Sequence, residues 1–173
     1  MTANARPEPP PRMAISRRRL LATAAAASLG ARQARAEAGL RFDHAYGTTI
    51  LPAPARRVVS LGYTTHDTLL ALGVVPLALR FWYGPYDSGV WPWAAPLLGT
   101  ARPEVLRGEI SMERIWSHRP DLIVAIGSGI TEAEYRVLDR IAPTLAHEAQ
   151  HGPYGTPWQT LTRTLGRALG KEA

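Results

Sequence analysis

The chain has 173 residues, with 20 basic and 14 acidic side chains and a formal charge of +6, which is enough length for one domain with a real core. Residues 1–36 hold seven arginines and one acid, Glu8, leaving thirteen basic and thirteen acidic side chains in residues 37–173, so the body of the chain is neutral and the high pI makes no case for nucleic-acid binding. Cysteine is absent, which excludes disulfides, thiolate metal sites and lipid attachment at a cysteine.

Ser16-Arg17-Arg18-Arg19-Leu20-Leu21 is a twin-arginine pattern, followed by an Ala/Leu stretch to Leu29 and an A-x-A cleavage site at Ala34-Arg35-Ala36. Charge, apolar region and cleavage site in that order predict an export signal of the folded-protein type over residues 1–36. The rival reading is a basic disordered tail or a nucleic-acid arm. Residues 1–12 read as an upstream extension, with Met13 as the start. Export of a cysteine-free chain predicts a periplasmic protein without a lipid anchor.

Leu40 to Ile50 alternates weakly around Gly47 and predicts a strand or hairpin, with His44 a partly buried strand histidine. Arg57 to Gly84 then reads strand, turn, helix, strand and polar-aromatic loop. Val58, Val59 and Leu61 form a short apolar run ending at Gly62. Thr64 or Thr65 caps the helix, and Leu69, Leu70 and Leu72 form its buried face. Pro76 places the next run at a sheet edge or a strand start. This is one βαβ unit with parallel strands. Ligands of open parallel sheets collect beyond the carboxyl ends of the strands. Here those ends carry Tyr63 and the Arg80-Phe81-Trp82-Tyr83 run, a cation beside three aromatics.

Trp91-Pro92-Trp93 follows. Two tryptophans around a proline suit either a rigid apolar plug or a stacking wall for a flat ligand. Residues 109–119 predict a helix with Ser111 as N-cap, Ile115 and Trp116 inward, and Pro120 as the stop. Asp121 to Ile126 is a near-continuous apolar run, as expected of a strand buried on both faces. Gly127-Ser128-Gly129 reads as a tight turn. Thr131 and Glu134 match a capping box on a helix carrying Tyr135, Leu138 and Ile141. Thr144 to His147 offers one more strand. After a loop at 152–157, Pro157 starts a helix with Leu161, Leu165 and Leu169 at fourfold spacing. That helix shows no stop signal before Ala173, so the chain reads as truncated inside it. The alternation predicts an α/β fold: a parallel, Rossmann-like layer with helices on both faces.

Catalytic patterns are weak. The lone G-x-G at 127–129 lacks the third glycine of a dinucleotide fingerprint and the lysine of a phosphate loop. Ser60 and Ser128 lie outside any G-x-S-x-G elbow. His66 and Asp67, adjacent on a helix, read as a solvated first turn. His118, His147 and His151 share no metal spacing. No enzyme, metal site or cofactor is expected, and an exported α/β enzyme is the weaker alternative. What stands out is Arg80, Trp82, Tyr83, Trp91, Trp93 and Tyr63, with Trp158 a lesser candidate. A guanidinium grips anionic oxygens in a fork, and ring faces stack on flat or macrocyclic surfaces. Together they suit a bulky, partly charged small molecule such as a metal chelate.

The segments RVVSLGYTTHDTLLALGVVPLALRFWYG, GVWPWA, SMERIWSHRPDLIVAIGSGIT, IAPT and GTPWQTLTRTLGRALGKEA together resemble the N-terminal half of periplasmic iron-siderophore binding proteins of ABC importers. The resemblance covers about Arg41 to Ala173. It implies two α/β lobes joined by one long helix, with the chelate held between them. Residues 37–155 would then be the first lobe and 156–173 the start of the linker helix, the second lobe being absent. The resemblance further implies that Arg80, Trp82 and Tyr83 face the cleft, with Trp91, Trp93 and Tyr63 beside it. Glu113 would be the first lobe's docking acid for the inner-membrane permease. Iron would be coordinated by the siderophore and not by the protein. The implied partners are a ferric siderophore and an ABC permease, with the binding protein itself a monomer. A haem or cobalamin binder of the same architecture is the close alternative.

Overall fold

The computed structural model describes residues 39–172, and the expected export signal over residues 1–36 lies outside them. An antiparallel hairpin comes first, β1 (Leu40–His44) paired with β2 (Gly47–Leu51). After it the elements alternate: β3 (Val58–Ser60), α1 (Thr65–Ala71), β4 (Ala78–Arg80), α2 (Ala95–Leu98), β5 (Glu104–Leu106), α3 (Met112–Ser117), β6 (Leu122–Val124), α4 (Glu132–Leu138), β7 (Thr144–Leu145) and α5 (Trp158–Leu169). The last five strands form one parallel sheet in the order β5-β4-β3-β6-β7.

Strand alternation sorts the core onto two faces. Val58, Leu122 and Val124 pack with Leu69 of α1 and with Leu161, Leu165 and Leu169 of α5. Their neighbours Val59, Ile123 and Ala125 pack instead with Ile115 of α3 and with Tyr135 and Leu138 of α4. Leu79 of β4 and Leu70 meet Leu98 of α2 in a smaller cluster. The sheet is therefore covered on both sides, as its apolar strands require.

At the amino edge, the Asp121 carboxylate accepts from the backbone N–H of Arg56 (2.9 Å) and of Arg57 (2.8 Å). The Arg57 guanidinium donates in turn to the carbonyls of His118 (2.5 Å) and Arg119 (2.9 Å). This ties the entry of β3 to the entry of β6.

Several local expectations change. Of the two positions Pro76 allowed, strand start holds and edge does not: Pro76 precedes β4 and removes no ladder bond, and β5, whose EVL run is too short to signal itself, pairs outside it. The short α2 is likewise unforeseen. Trp116 is 66 % exposed, since the turn of α3 directs only Ile115 inward. His66 is not solvated but 1 % exposed, on the inner side of α1. Neither Thr64 nor Thr65 caps α1 through its side chain; the Thr65 hydroxyl instead meets Ser60 Oγ at 2.6 Å and the Gly62 carbonyl at 3.1 Å. The last helix does have a stop. Gly170 takes φ +63°, and the N–H of Lys171 donates to the Gly166 carbonyl at 2.7 Å, a Schellman closure. Ser111 and the Thr131–Glu134 capping box behave as predicted.

The hairpin is fastened by a neutral histidine. Thr49 Oγ1 donates to the Thr144 carbonyl (2.6 Å), so it accepts from His44 Nε2–H (2.9 Å). His44 Nδ1 is then free to accept from the N–H of Tyr46 (3.3 Å). Burial pushes the His44 pKa below its ordinary 6.5, against partial opposition from Asp139 and Asp43. Burial lowers His66 and His147 as well. Such groups bind fewer protons folded than unfolded, so their stability contribution is complete above the unfolded pKa and is lost as pH falls through and below it.

Thermal melting of the chain is accordingly expected to fall between pH 7.5 and pH 5, and His44→Gln to flatten part of that fall; a melting temperature that holds or rises on acidification contradicts it. Leu165→Ala, which empties a fully buried site under α5, is expected to cost about 2–5 kcal/mol in urea denaturation. Trp116→Ala is expected to stay within about 0.5 kcal/mol of the parent.

Candidate functional site

Strand order reverses between β3 and β6. From β3 the chain moves outward through β4 to β5, then returns to β6 on the other side of β3. Such a switch point opens a crevice beyond the carboxyl ends of the two central strands. The loops that leave those strands touch. Gly62 passes so near the Ile126 carbonyl that a Cβ there would lie 2.0 Å from its oxygen. The N–H of Tyr63 donates to the Gly127 carbonyl at 3.3 Å. Tyr63 is thereby held at the mouth of the crevice.

Arg80, the last residue of β4, reaches across this mouth. Its Nη1 donates to the Ser128 carbonyl at 3.1 Å, and its guanidinium carbon lies 4.7 Å from the centroid of the Tyr63 ring. Tyr63 stacks on two further rings. Trp82 lies 5.9 Å away with planes 29° apart, and Tyr154 lies 6.3 Å away with planes 16° apart. From Trp82 the aromatic row continues edge-on to Tyr83 (4.4 Å) and then to Trp91 (4.8 Å). Trp91 lies face to face with Trp93 at 5.1 Å and 6°. The Trp93 indole N–H donates to Asp67 Oδ2 at 2.8 Å, which anchors the far end of the row to α1.

All six aromatic and cationic candidates from the sequence are thus brought into one contiguous row. Trp82 is 47 %, Tyr83 53 % and Trp93 67 % exposed, far more than core residues of this size retain. Trp91 is half-buried, wedged between Tyr83, Tyr86 and Trp93. In Trp91-Pro92-Trp93 the first ring is packed and the second open. Trp158 is exposed at the start of α5 and stands outside the row.

Two depressions meet at Tyr63 and Tyr154. One, of about 410 Å³, is lined by Tyr63, Arg80, Glu109, Ile110, Ser128, Gly129, Ile130, Glu134 and Tyr154. The other, of about 390 Å³, is lined by Tyr63, Thr64, Trp82, Gly127 and Tyr154. Tyr154, Glu109 and Glu134 were not among the expected site residues. Tyr154 had a signal, an aromatic in a Gly/Pro loop. Its hydroxyl comes so near Gly129 (φ +69°) that a Cβ there would lie 1.8 Å from it. Glu134 was legible only as a helix cap. Hydrogen bonds from the backbone and hydroxyl of Thr131 hold its carboxyl below the usual range, and the charge of Arg80 adds to this.

Glu113 lies in the first turn of α3 and is exposed. Because α3 follows β5, its amino end is on the same edge of the sheet as the crevice. The catalytic candidates do not converge. Ser128 Oγ donates to the Ala125 carbonyl (2.6 Å) and accepts from the N–H of Ile130 (3.3 Å), a turn residue's bonds. His66 is enclosed in α1, with Asp67 Oδ1 3.6 Å from its Nε2.

The model of a periplasmic binding protein family matches residues 58–173. No curated protein matches the chain. Among solved structures, a periplasmic solute binding protein from Mycobacterium smegmatis str. MC2 155 is 41 % identical with a TM-score of 0.73, over 78 % of this chain and 48 % of that one. PiaA of Streptococcus pneumoniae TIGR4, solved in complex with ferrichrome, is 32 % identical with a TM-score of 0.66, over 76 % and 45 %. Staphylococcus aureus SirA, complexed with staphyloferrin B, is 27 % identical with a TM-score of 0.62, over 76 % and 42 %. The chain spans just under half the length of these proteins. Since the family model takes in the whole five-stranded sheet, its switch-point crevice and α5, the chain belongs to the periplasmic binding protein family.

Proposed function

We propose that this chain supplies one wall of a ferric siderophore site in the substrate-binding component of an ABC importer. The observation that carries the proposal is the unbroken row from Tyr154 through Tyr63, Trp82, Tyr83 and Trp91 to Trp93, with Arg80 set against Tyr63. A ferric chelate is bulky, rigid and rich in oxygen atoms. Ring faces gain dispersion and stacking energy over its surface. The Arg80 guanidinium spends one N–H on Ser128, and its others are available to oxygen atoms of the chelator. The chelator fills the metal's coordination sphere, so the protein recognises the shell and not the iron. PiaA and SirA, whose structures hold ferrichrome and staphyloferrin B, support the class of ligand.

In this reading residues 1–36 export the chain to the periplasm, 37–155 form the binding lobe, and 156–173 begin the connection to a second lobe that closes the cleft. Capture and delivery need no chemical step. Among the described residues no helix is long and apolar enough to cross a membrane, which fits delivery to a separate permease. Glu113 is the docking acid: it is exposed on the crevice edge of the lobe, where an arginine of the permease reaches it without entering the cleft.

Ferric hydroxamate, catecholate and carboxylate chelates titrated into the chain are the direct test, read by tryptophan fluorescence. At least one is expected to quench it. Trp82→Ala is expected to weaken binding about tenfold, the loss of roughly 1.4 kcal/mol of stacking, while Trp82→Phe recovers most of it. Quenching by haem or cobalamin alone assigns the wall to those ligands, and quenching by none sinks the reading. For docking, Glu113→Ala is expected to reduce co-purification with the permease while leaving chelate affinity unchanged; equal recovery of the permease removes Glu113 from that role.

A further inference from the structure

The charges along the aromatic row are distributed in a way that stacking does not require. In the 410 Å³ depression one cation, Arg80, faces two carboxylates, Glu109 and Glu134. The Ser128 carbonyl and the Tyr63 ring face that the Arg80 guanidinium touches carry no formal charge, so the depression keeps one negative charge in excess. Glu134 stays ionised under its bonds from Thr131. A third carboxylate, Asp67, closes the opposite end of the row under Trp93. The next cation along the strand ends, Arg107, lies flat on Phe81 at 3.8 Å and lines neither depression.

We infer that this wall selects ferric complexes of zero or positive net charge, the trihydroxamate type, and discriminates against polyanionic ones. The inference rests on the ferric-chelate reading above. Three hydroxamates are single anions and neutralise ferric iron; a pendant ammonium makes the complex a cation. Three catecholates are double anions and leave a charge of minus three. Ring stacking is indifferent to that difference, so the Coulomb field decides. A trianion held about 8 Å from one uncompensated carboxylate in a water-filled cleft is disfavoured about tenfold relative to a neutral complex of the same size. Arg80 still donates to the neutral complex, whose hydroxamate oxygens are acceptors.

The test is a fluorescence titration of the 173-residue chain with neutral ferrichrome, cationic ferrioxamine B and trianionic ferric enterobactin, repeated for Glu109→Gln and Glu109→Lys. Glu109 is exposed and caps no helix, so both variants are expected to fold, as circular dichroism verifies. Ferrichrome and ferrioxamine B are expected to bind at least about tenfold tighter than ferric enterobactin. Added salt is expected to weaken the cation and strengthen the trianion, and Glu109→Lys to narrow or invert the preference. Equal or tighter binding of the trianion, or a preference that Glu109→Lys leaves unmoved, overturns the charge selection while the chelate reading stands. Quenching by none of the three, nor by ferric citrate, overturns the chelate reading itself and this inference with it.

Discussion

The carboxyl edge of the sheet depends on a contact that only glycine permits. Gly62 slides past the Ile126 carbonyl with no room for a Cβ between them. Any side chain at 62 forces the exit loops of β3 and β6 apart, at a steric cost no local rotamer change relieves. Because the loops meet, Tyr63 bonds the Gly127 backbone and its ring stands over the switch point. Because that ring is fixed, Arg80 has a face to lie on, and Trp82 and Tyr154 have a plane to stack against. The row is therefore a property of the sheet's topology as much as of its aromatic residues.

Much of this was legible because its signals are local. The near-continuous apolar run Leu122–Ile126 identifies a strand covered on both sides, and the Thr131–Glu134 spacing identifies a helix start by its own chemistry. The Arg80–Tyr83 run was conspicuous because a cation and three aromatics in four residues are unusual in a connector. Features set by tertiary context were not legible. β5 has three residues and no periodicity to detect, and its existence depends on β4 offering a free edge. The burial of His66 follows from how its helix lies on the sheet, which adjacency to Asp67 says nothing about. Tyr154 is some ninety residues from Tyr63 in sequence, and they meet beside the Gly129 turn. Gly170 was available as a stop signal, yet the polar residues after it read as continuation; its left-handed φ decides the matter.

The two ends of the sheet are built on different physics. At the amino edge, charged groups bond backbone: Asp121 binds two N–H groups and Arg57 two carbonyls. At the carboxyl edge, polar groups are left partly free and large rings are left exposed. An exposed row of this size invites association with other surfaces. A covering partner, whether a ligand or a second lobe, is the ordinary reason such a surface persists.

Trp91 and Trp93 have a consequence of their own. Two indoles held face to face at 5.1 Å and nearly parallel do not absorb light as independent chromophores. Their transition dipoles couple, and the sign and size of the resulting exciton signal depend on the angle and offset between the rings. Pro92 between them and the Asp67 bond under Trp93 fix that geometry from both sides. The protein thus carries at the carboxyl edge of its sheet an optical gauge of its own, set by the spacing and angle of this one pair of rings.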